Sequence, residues 1–249
     1  MQLFENERID YVNDSLSLIQ KTEGLTFGTD ALLLAGYISG KFEYGIEIGG
    51  GSGIISMLLL ARSKVAKICA VEVQEQYAEL IARNAEMNHL SERLQAVHSD
   101  IRDYKSEGEC DIVFTNPPYM KSTSGRHNST DSKTIARHEI HGDIKELISA
   151  GVKSLKYGGA FYSVYRPDRL CDILCAMREC LVEPKRMTFV YSNALSEPSM
   201  VLIEAKKGGK PGINVTRPLV IYKNAENRQY SDDMNYIMEN GSFPPEYKR

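Results

Sequence analysis

"YGIEIGGGSGIISMLLLA", residues 44–61, changes character twice within one short stretch. Tyr44–Ile48 is a brief apolar run of the kind that fills a buried strand. Gly49–Gly53 then supplies glycines, which let the backbone take φ > 0 and approach a ligand closely. From Gly53 to Ser63 the sequence is apolar on nearly every face, as in a helix buried against a sheet. Strand, glycine turn and buried helix in that order open a doubly wound α/β sheet.

Working outward, the alternation continues. "AKICAVEV" (Ala66–Val73) reads as the second strand. Gln74–Leu90 reads as an amphipathic helix, with Tyr77, Leu80, Ile81, Ala85 and Asn88 on one face. "LQAVHSD" (Leu94–Asp100) and "CDIVFTN" (Cys110–Asn116) are the third and fourth strands. A polar stretch, Met120–Thr134, interrupts the pattern and is longer than an ordinary connection, as functional loops tend to be. A helix over Gly142–Leu155, a fifth strand over Gly158–Tyr165 and a helix over Arg166–Cys180 resume it. Two last strands, Arg186–Ser192 and Ser199–Lys207, are joined by a turn so short that they must pair antiparallel. The expectation is a seven-stranded, mainly parallel sheet ending in an antiparallel hairpin, with helices on both faces. It forms one domain over residues 1–249: an N-terminal cap over 1–40, an α/β core over 41–223, and a polar, peripheral tail over 224–249.

The bulk numbers agree with one domain. The chain has 249 residues and is 42% hydrophobic, ample for one core. No apolar run reaches the ~18 residues of a membrane span. The N-terminus, "MQLFENERIDYVNDS", lacks the basic and apolar regions of a signal peptide, so a cytoplasmic location is expected. Five cysteines with no CxxC pair suit reduced thiols. Cys171 and Cys175, four apart on a helix, read as small apolar fillers rather than metal ligands. The net charge of −3 announces no nucleic-acid partner, although a total can hide local patches.

The glycine turn raises the question of its ligand. Nicotinamide cofactors require G-x-G-x-x-G, whereas the sixth place from Gly49 is Ile54. The sequence offers G-x-G-x-G at Gly49, Gly51 and Gly53, preceded by Glu47. Negative charge there disfavours a pyrophosphate and suits a cationic ligand without phosphate, as S-adenosylmethionine is. Glu72, closing the second strand, can accept both ribose hydroxyl hydrogens. Asp100, at the third strand end, could accept from the adenine amine, or could serve as a turn or helix-cap aspartate.

The fourth strand ends in Asn116-Pro117-Pro118-Tyr119. The nitrogen of an amide or aromatic amine is a poor nucleophile because its lone pair is delocalised. Two acceptors aimed at its hydrogens favour a more tetrahedral nitrogen. The Asn116 side-chain oxygen is one, and the Pro117 carbonyl, held between rigid rings, can be the other. Tyr119 offers a flat face for a base. No strong general base is needed, since the proton can leave after methyl transfer. The alternative is a loop whose prolines simply end a strand.

With these motifs in view, the chain resembles class I S-adenosylmethionine-dependent methyltransferases of the amino-directed NPPY group. More closely, it resembles bacterial enzymes that N6-methylate an adenosine next to the anticodon of tRNA(Val). The likeness runs from "GLTFGTDALLLAGYI" (Gly24–Ile38) through "EIGGGSG", Glu72, Asp100, "NPPY" and "ARHE" (Ala136–Glu139) to "VLIEAKKGGKPG" (Val201–Gly212). It implies a Rossmann-like fold and S-adenosylmethionine as cofactor. It also implies that Thr29 and Asp30 lie near the methionine part of that cofactor. Gly50 departs from the family, where Thr is commoner, and is expected to loosen the turn.

Cationic residues suggest where RNA would bind. Lys121, Arg126, Arg137 and His138 follow the NPPY strand end, and Lys207 and Lys210 follow the last strand. Both groups suit an RNA backbone, and the second could equally be a solvated loop. His138, Glu139 and His141 lack H-E-x-x-H spacing and a third ligand, so no metal is expected. Alternatives are an rRNA adenine-N6 or guanine-N2 enzyme, a protein glutamine N5-methyltransferase, or a non-catalytic RNA-binding protein of the same fold. Nothing in the sequence fixes the oligomeric state.

Overall fold

The computed structural model describes residues 3–13, 15–23, 28–117, 144–224 and 228–248. An antiparallel pair, β1 (Glu7–Asn13) and β2 (Leu16–Lys21), precedes helix α1 (Thr29–Tyr37). The alternation then runs β3 (Phe42–Ile48), α2 (Ile54–Ala61), β4 (Val65–Glu72), α3 (Glu75–Met87), β5 (Leu94–His98) and β6 (Cys110–Thr115). It continues through α4 (Ile144–Lys153), β7 (Leu155–Tyr165), α5 (Leu170–Glu179), β8 (Val182–Tyr191) and β9 (Pro198–Lys207). Two short strands, β10 (Asn214–Val215) and β11 (Leu219–Val220), and helix α6 (Asp232–Asn240) follow.

The main sheet has the order β10-β8-β9-β7-β6-β3-β4-β5, with β11 also on β8. Strand β9 is antiparallel to both β7 and β8, and the other pairings are parallel. The sheet therefore has nine strands where the sequence suggested seven. The extra two are two-residue pairings on β8, too short to carry any periodic pattern. The N-terminal hairpin was also not legible, because its first strand is largely exposed and polar.

Helices cover both faces, so the central strands read as unbroken apolar runs. In β6, Ile112 and Phe114 join the core that contains α1 and α2, while Val113 faces the core beneath α4 and α5. The hairpin docks through two side-chain amides, one on α3 and one at its C-cap. Asn84, fully buried, accepts from the Ile19 N–H (2.7 Å) and donates to the Ile19 and Ser52 carbonyls (3.0 Å each). Asn88 makes the same paired contact with Ser17. Two asparagines four apart on one helix face thus stand in for a neighbouring strand along β2.

Two expectations are corrected. The tail is not peripheral: Met234, Ile237, Phe243 and Tyr247 are buried in the α1–α2 core. Phe243 packs edge-on against both Tyr37 and Tyr247, with ring centroids 5.2 Å apart in each case. A few apolar side chains, widely spaced in a polar stretch, were enough to bring it in. Cys171 and Cys175 are exposed rather than filling space, because α5 buries Ile173, Ala176 and Met177 instead.

Candidate active site

Strand register brings four sequence motifs into one row. Thr115 pairs with Ile48, Ile48 with Val71, and Glu72 with His98. Asn116, Gly49, Glu72 and the Ser99–Asp100 turn therefore stand side by side along the carboxyl edge of β6, β3, β4 and β5. At the usual inter-strand spacing the row spans about 14 Å. The Gly49 N–H donates to the Val71 carbonyl (2.8 Å) and the Ser99 N–H to the Glu72 carbonyl (3.0 Å), extending the ladder into the loops. Thr115 Oγ1 donates to the Ile48 carbonyl (3.0 Å), locking the β6 end to the start of the glycine turn.

Gly49, Gly51 and Gly53 have φ of +70°, +55° and +82°. A Cβ on Gly49 or Gly51 would meet no atom within 4 Å, so these two turn the backbone toward open space. Gly50 differs. A Cβ there would stand 2.7 Å from Ile81 Cδ1, so its glycine matches a bulky neighbour and does not merely loosen the turn. Glu72 is 4% exposed, and its two oxygens accept from the Gly51 N–H (2.9 Å) and the Gln74 N–H (3.0 Å). Burial raises its pKa, opposed by those backbone donors. Each carboxylate oxygen accepts more than one hydrogen bond, which leaves capacity for ribose hydroxyls.

Glu47, which the sequence placed as a negative charge beside the ligand, is buried. It is 1% exposed and accepts a hydrogen bond from Ser56 Oγ on α2. Burial pushes its pKa up to about 8, against the opposing Ser56 hydrogen bond. The carboxyl lies beneath the turn and ties β3 to α2. Asp100 is held by Arg102, through contacts of 2.6 Å to Nη2 and 2.8 Å to the backbone N–H. Arg102 lowers its pKa, and Arg102 also reaches Glu146 (3.3 Å). Asp100 thus closes its turn through the Arg102 N–H and forms an ion pair that the sequence did not suggest.

On the other side of the row, Asn116 Nδ2 donates to Asp30 Oδ2 at 2.9 Å. Thr29 and Asp30 begin α1, so the N-terminal segment reaches the strand end that carries Asn116. Pro117 is buried directly after it. Pro118, Tyr119, Lys121, Arg126, Arg137 and His138 lie outside the described residues, as do Glu139 and His141. Among the described residues, no cluster of three His, Cys, Asp or Glu side chains could hold a metal ion. No helix among them is long and apolar enough to cross a membrane.

Lys207 and Lys210 are misplaced for this site. Ile203 of β9 is level with Ser163 and Thr115, and the strand then runs away from the Asn116 edge. Four residues later, Lys207 stands roughly 13 Å toward the opposite end. Its Nζ donates to the Val152 and Leu155 carbonyls at the end of α4. The antiparallel hairpin expected from the short turn is what carries this stretch away from the site, a consequence at odds with reading its lysines as substrate contacts. Asn84 was missed as well, although it lies one turn before Asn88 on the buried face of α3, an unusual place for an amide.

The turn glycines with open space above them, together with the Glu72 carboxylate, fit S-adenosylmethionine. The turn would hold its amino-acid part and Glu72 its ribose. This fold and site define an S-adenosylmethionine-dependent methyltransferase. Residues 22–183 match the family model described as the methyltransferase small domain, and the chain belongs to that family. A curated relative from Flavobacteriaceae bacterium strain 3519-10, a tRNA1(Val) (adenine(37)-N6)-methyltransferase, is 26% identical over 90% of this chain and 93% of its own length. A protein of the same name from Pedobacter heparinus is 33% identical over 56% of this chain and 59% of its own length. Among solved structures, a predicted O-methyltransferase from Agrobacterium tumefaciens superposes with a TM-score of 0.69 at 17% identity, covering 86% of this chain and 98% of that one.

Proposed function

We propose that this enzyme transfers a methyl group to N6 of an adenosine in tRNA, at position 37 beside the anticodon, with tRNA(Val) as the substrate. The observation that carries the reading is the pairing of Thr115 with Ile48. It sets the Asn116-Pro117 acceptors one strand from the turn that would hold the cofactor. The names of the relatives supply the substrate class. Bound S-adenosylmethionine supplies an electrophilic methyl group. The protein's part is to hold the exocyclic amine in line and to accept its hydrogens as positive charge develops on nitrogen. An adenosine already unstacked in a loop reaches such a pocket at a small energetic cost.

The test is mass spectrometry of nucleosides from tRNA of a strain lacking this gene, before and after incubation with the pure enzyme. N6-methyladenosine should be missing from tRNA(Val) and restored. N2-methylguanosine, or modification of rRNA alone, would point to the alternative RNA substrates. Asn116→Ala should bind S-adenosylmethionine like the wild type while kcat falls about 10²–10³-fold.

A further inference from the structure

We propose that Asp30 is a positioning residue that fixes which edge of the Asn116 carboxamide faces the substrate. The proposal rests on the amine-methylation reading of this site and adds a residue to it. A carboxamide has one accepting and one donating edge, and rotation by half a turn exchanges them with little change in shape. Only the accepting edge can take a hydrogen from an amine. In the exchanged orientation an NH₂ would meet an NH₂, and the site would oppose the reaction it is meant to promote.

Asp30 removes the ambiguity. Its Oδ2 is 2.9 Å from Asn116 Nδ2, across 86 residues of sequence. An ionised carboxylate only accepts, so the amide edge turned toward it must be the NH₂ edge. The exchanged orientation would press Oδ1 against Oδ2. Oδ1 is thereby directed to the other edge of the amide plane. The placement of both partners is built into the fold. Asp30 sits in the first turn of α1, where a helix favours a negative side chain. Asn116 is held from behind by the Thr115–Ile48 hydrogen bond and in front by the ring of Pro117. A carboxylate hydrogen-bonded to the NH₂ also polarises the amide and makes its oxygen a stronger acceptor, as in other hydrogen-bond chains.

The experiment compares the full-length wild type with Asp30→Ala, Asp30→Asn, Asn116→Asp and the exchanged double variant Asp30→Asn/Asn116→Asp. It uses tRNA from the deletion strain, and cofactor binding is measured in parallel by calorimetry. Asp30→Asn leaves two amides that pair either way round, so kcat should fall about 10–100-fold, while KM for tRNA and affinity for S-adenosylmethionine stay within about twofold. Asn116→Asp sets two carboxylates together and should lose more. The double variant restores one donor and one acceptor with the polarity reversed. The acid at position 116 keeps an oxygen for the amine, and kcat should recover at least about tenfold over the Asn116→Asp variant. A double variant no better than Asn116→Asp, or an Asp30→Ala enzyme with kcat within twofold of the wild type, would overturn the positioning role. So would a loss in Asp30→Asn that appears only as weaker cofactor binding. A wild type that binds S-adenosylmethionine yet methylates no RNA would overturn the functional reading, and this inference with it.

Discussion

The two ends of the sheet treat charge in opposite ways. At the carboxyl edge, Glu72, Asp30 and Asn116 converge beside turn glycines that face open space. At the other end, cations are absorbed by backbone. Lys64 Nζ donates to the carbonyls of Ala35, Gly36, Ile38 and Gly241, at the ends of α1 and α6. Lys207 does the same for α4. A further cation, Arg186 in the middle of β8, is also committed: buried, it pairs with Glu204 (2.6 Å), donates to the Tyr37 and Tyr247 carbonyls and stacks on the Tyr37 ring. The cause is the winding. Helices return antiparallel to the parallel strands, so their carbonyl ends gather where the strands begin and their N-termini gather where the strands end. One end calls for lysine and arginine to finish its helices. The other presents N–H groups and carboxylates to a ligand. A basic stretch is therefore evidence of a nucleic-acid surface only when its cations are not already committed.

This contrast can be broken at the committed cations and at the site. The largest effect is expected from Arg186→Ala, which strands the Glu204 carboxylate. It should lower stability by about 3–5 kcal/mol in denaturant titration while leaving cofactor affinity intact at temperatures where the protein is folded. Glu47→Gln tests the buried acid under the site. Its folded pKa of about 8 lies above the unfolded value of 4.5. The native state therefore keeps a proton that the unfolded state gives up. The contribution is full below 4.5 and is lost as pH rises through 8, on the order of a few kcal/mol. Melting curves from pH 5 to 9 should show that decline in the wild type and a flatter profile in the glutamine variant. Glu72→Ala removes the carboxylate proposed to take ribose hydroxyls, and calorimetry should show S-adenosylmethionine binding weakened by about 1.5–3 kcal/mol. At the opposite end, Lys207→Ala should lose about 1 kcal/mol of stability with no change in KM for tRNA. Lys210→Ala should stay within about 0.5 kcal/mol and twofold in KM. A large rise in KM from either lysine would show that RNA reaches around the molecule to the far end.

The strand–helix alternation, the glycine turn, the strand-end acids and the NPP strand end were all legible in the sequence. Each is a local pattern set by backbone sterics and by the burial of a sheet on both faces. Local pattern misled where burial or pairing depended on distant residues. Glu47 reads as a charge facing the ligand, yet it is buried beneath the turn, where desolvation raises its pKa and Ser56 donates to it. The tail reads as polar, yet it sends Phe243 and Tyr247 into the core.

By itself, then, the sequence determined which elements form and which groups end the strands, because hydrophobic period and turn chemistry are properties of short segments. Tertiary structure alone decided that β6 lies against β3. That pairing puts Asn116 beside Gly49, and the packing of α1 sets Asp30 against Asn116. Strand order arises from closing long loops around a common core. No short stretch of residues encodes the partner it meets there.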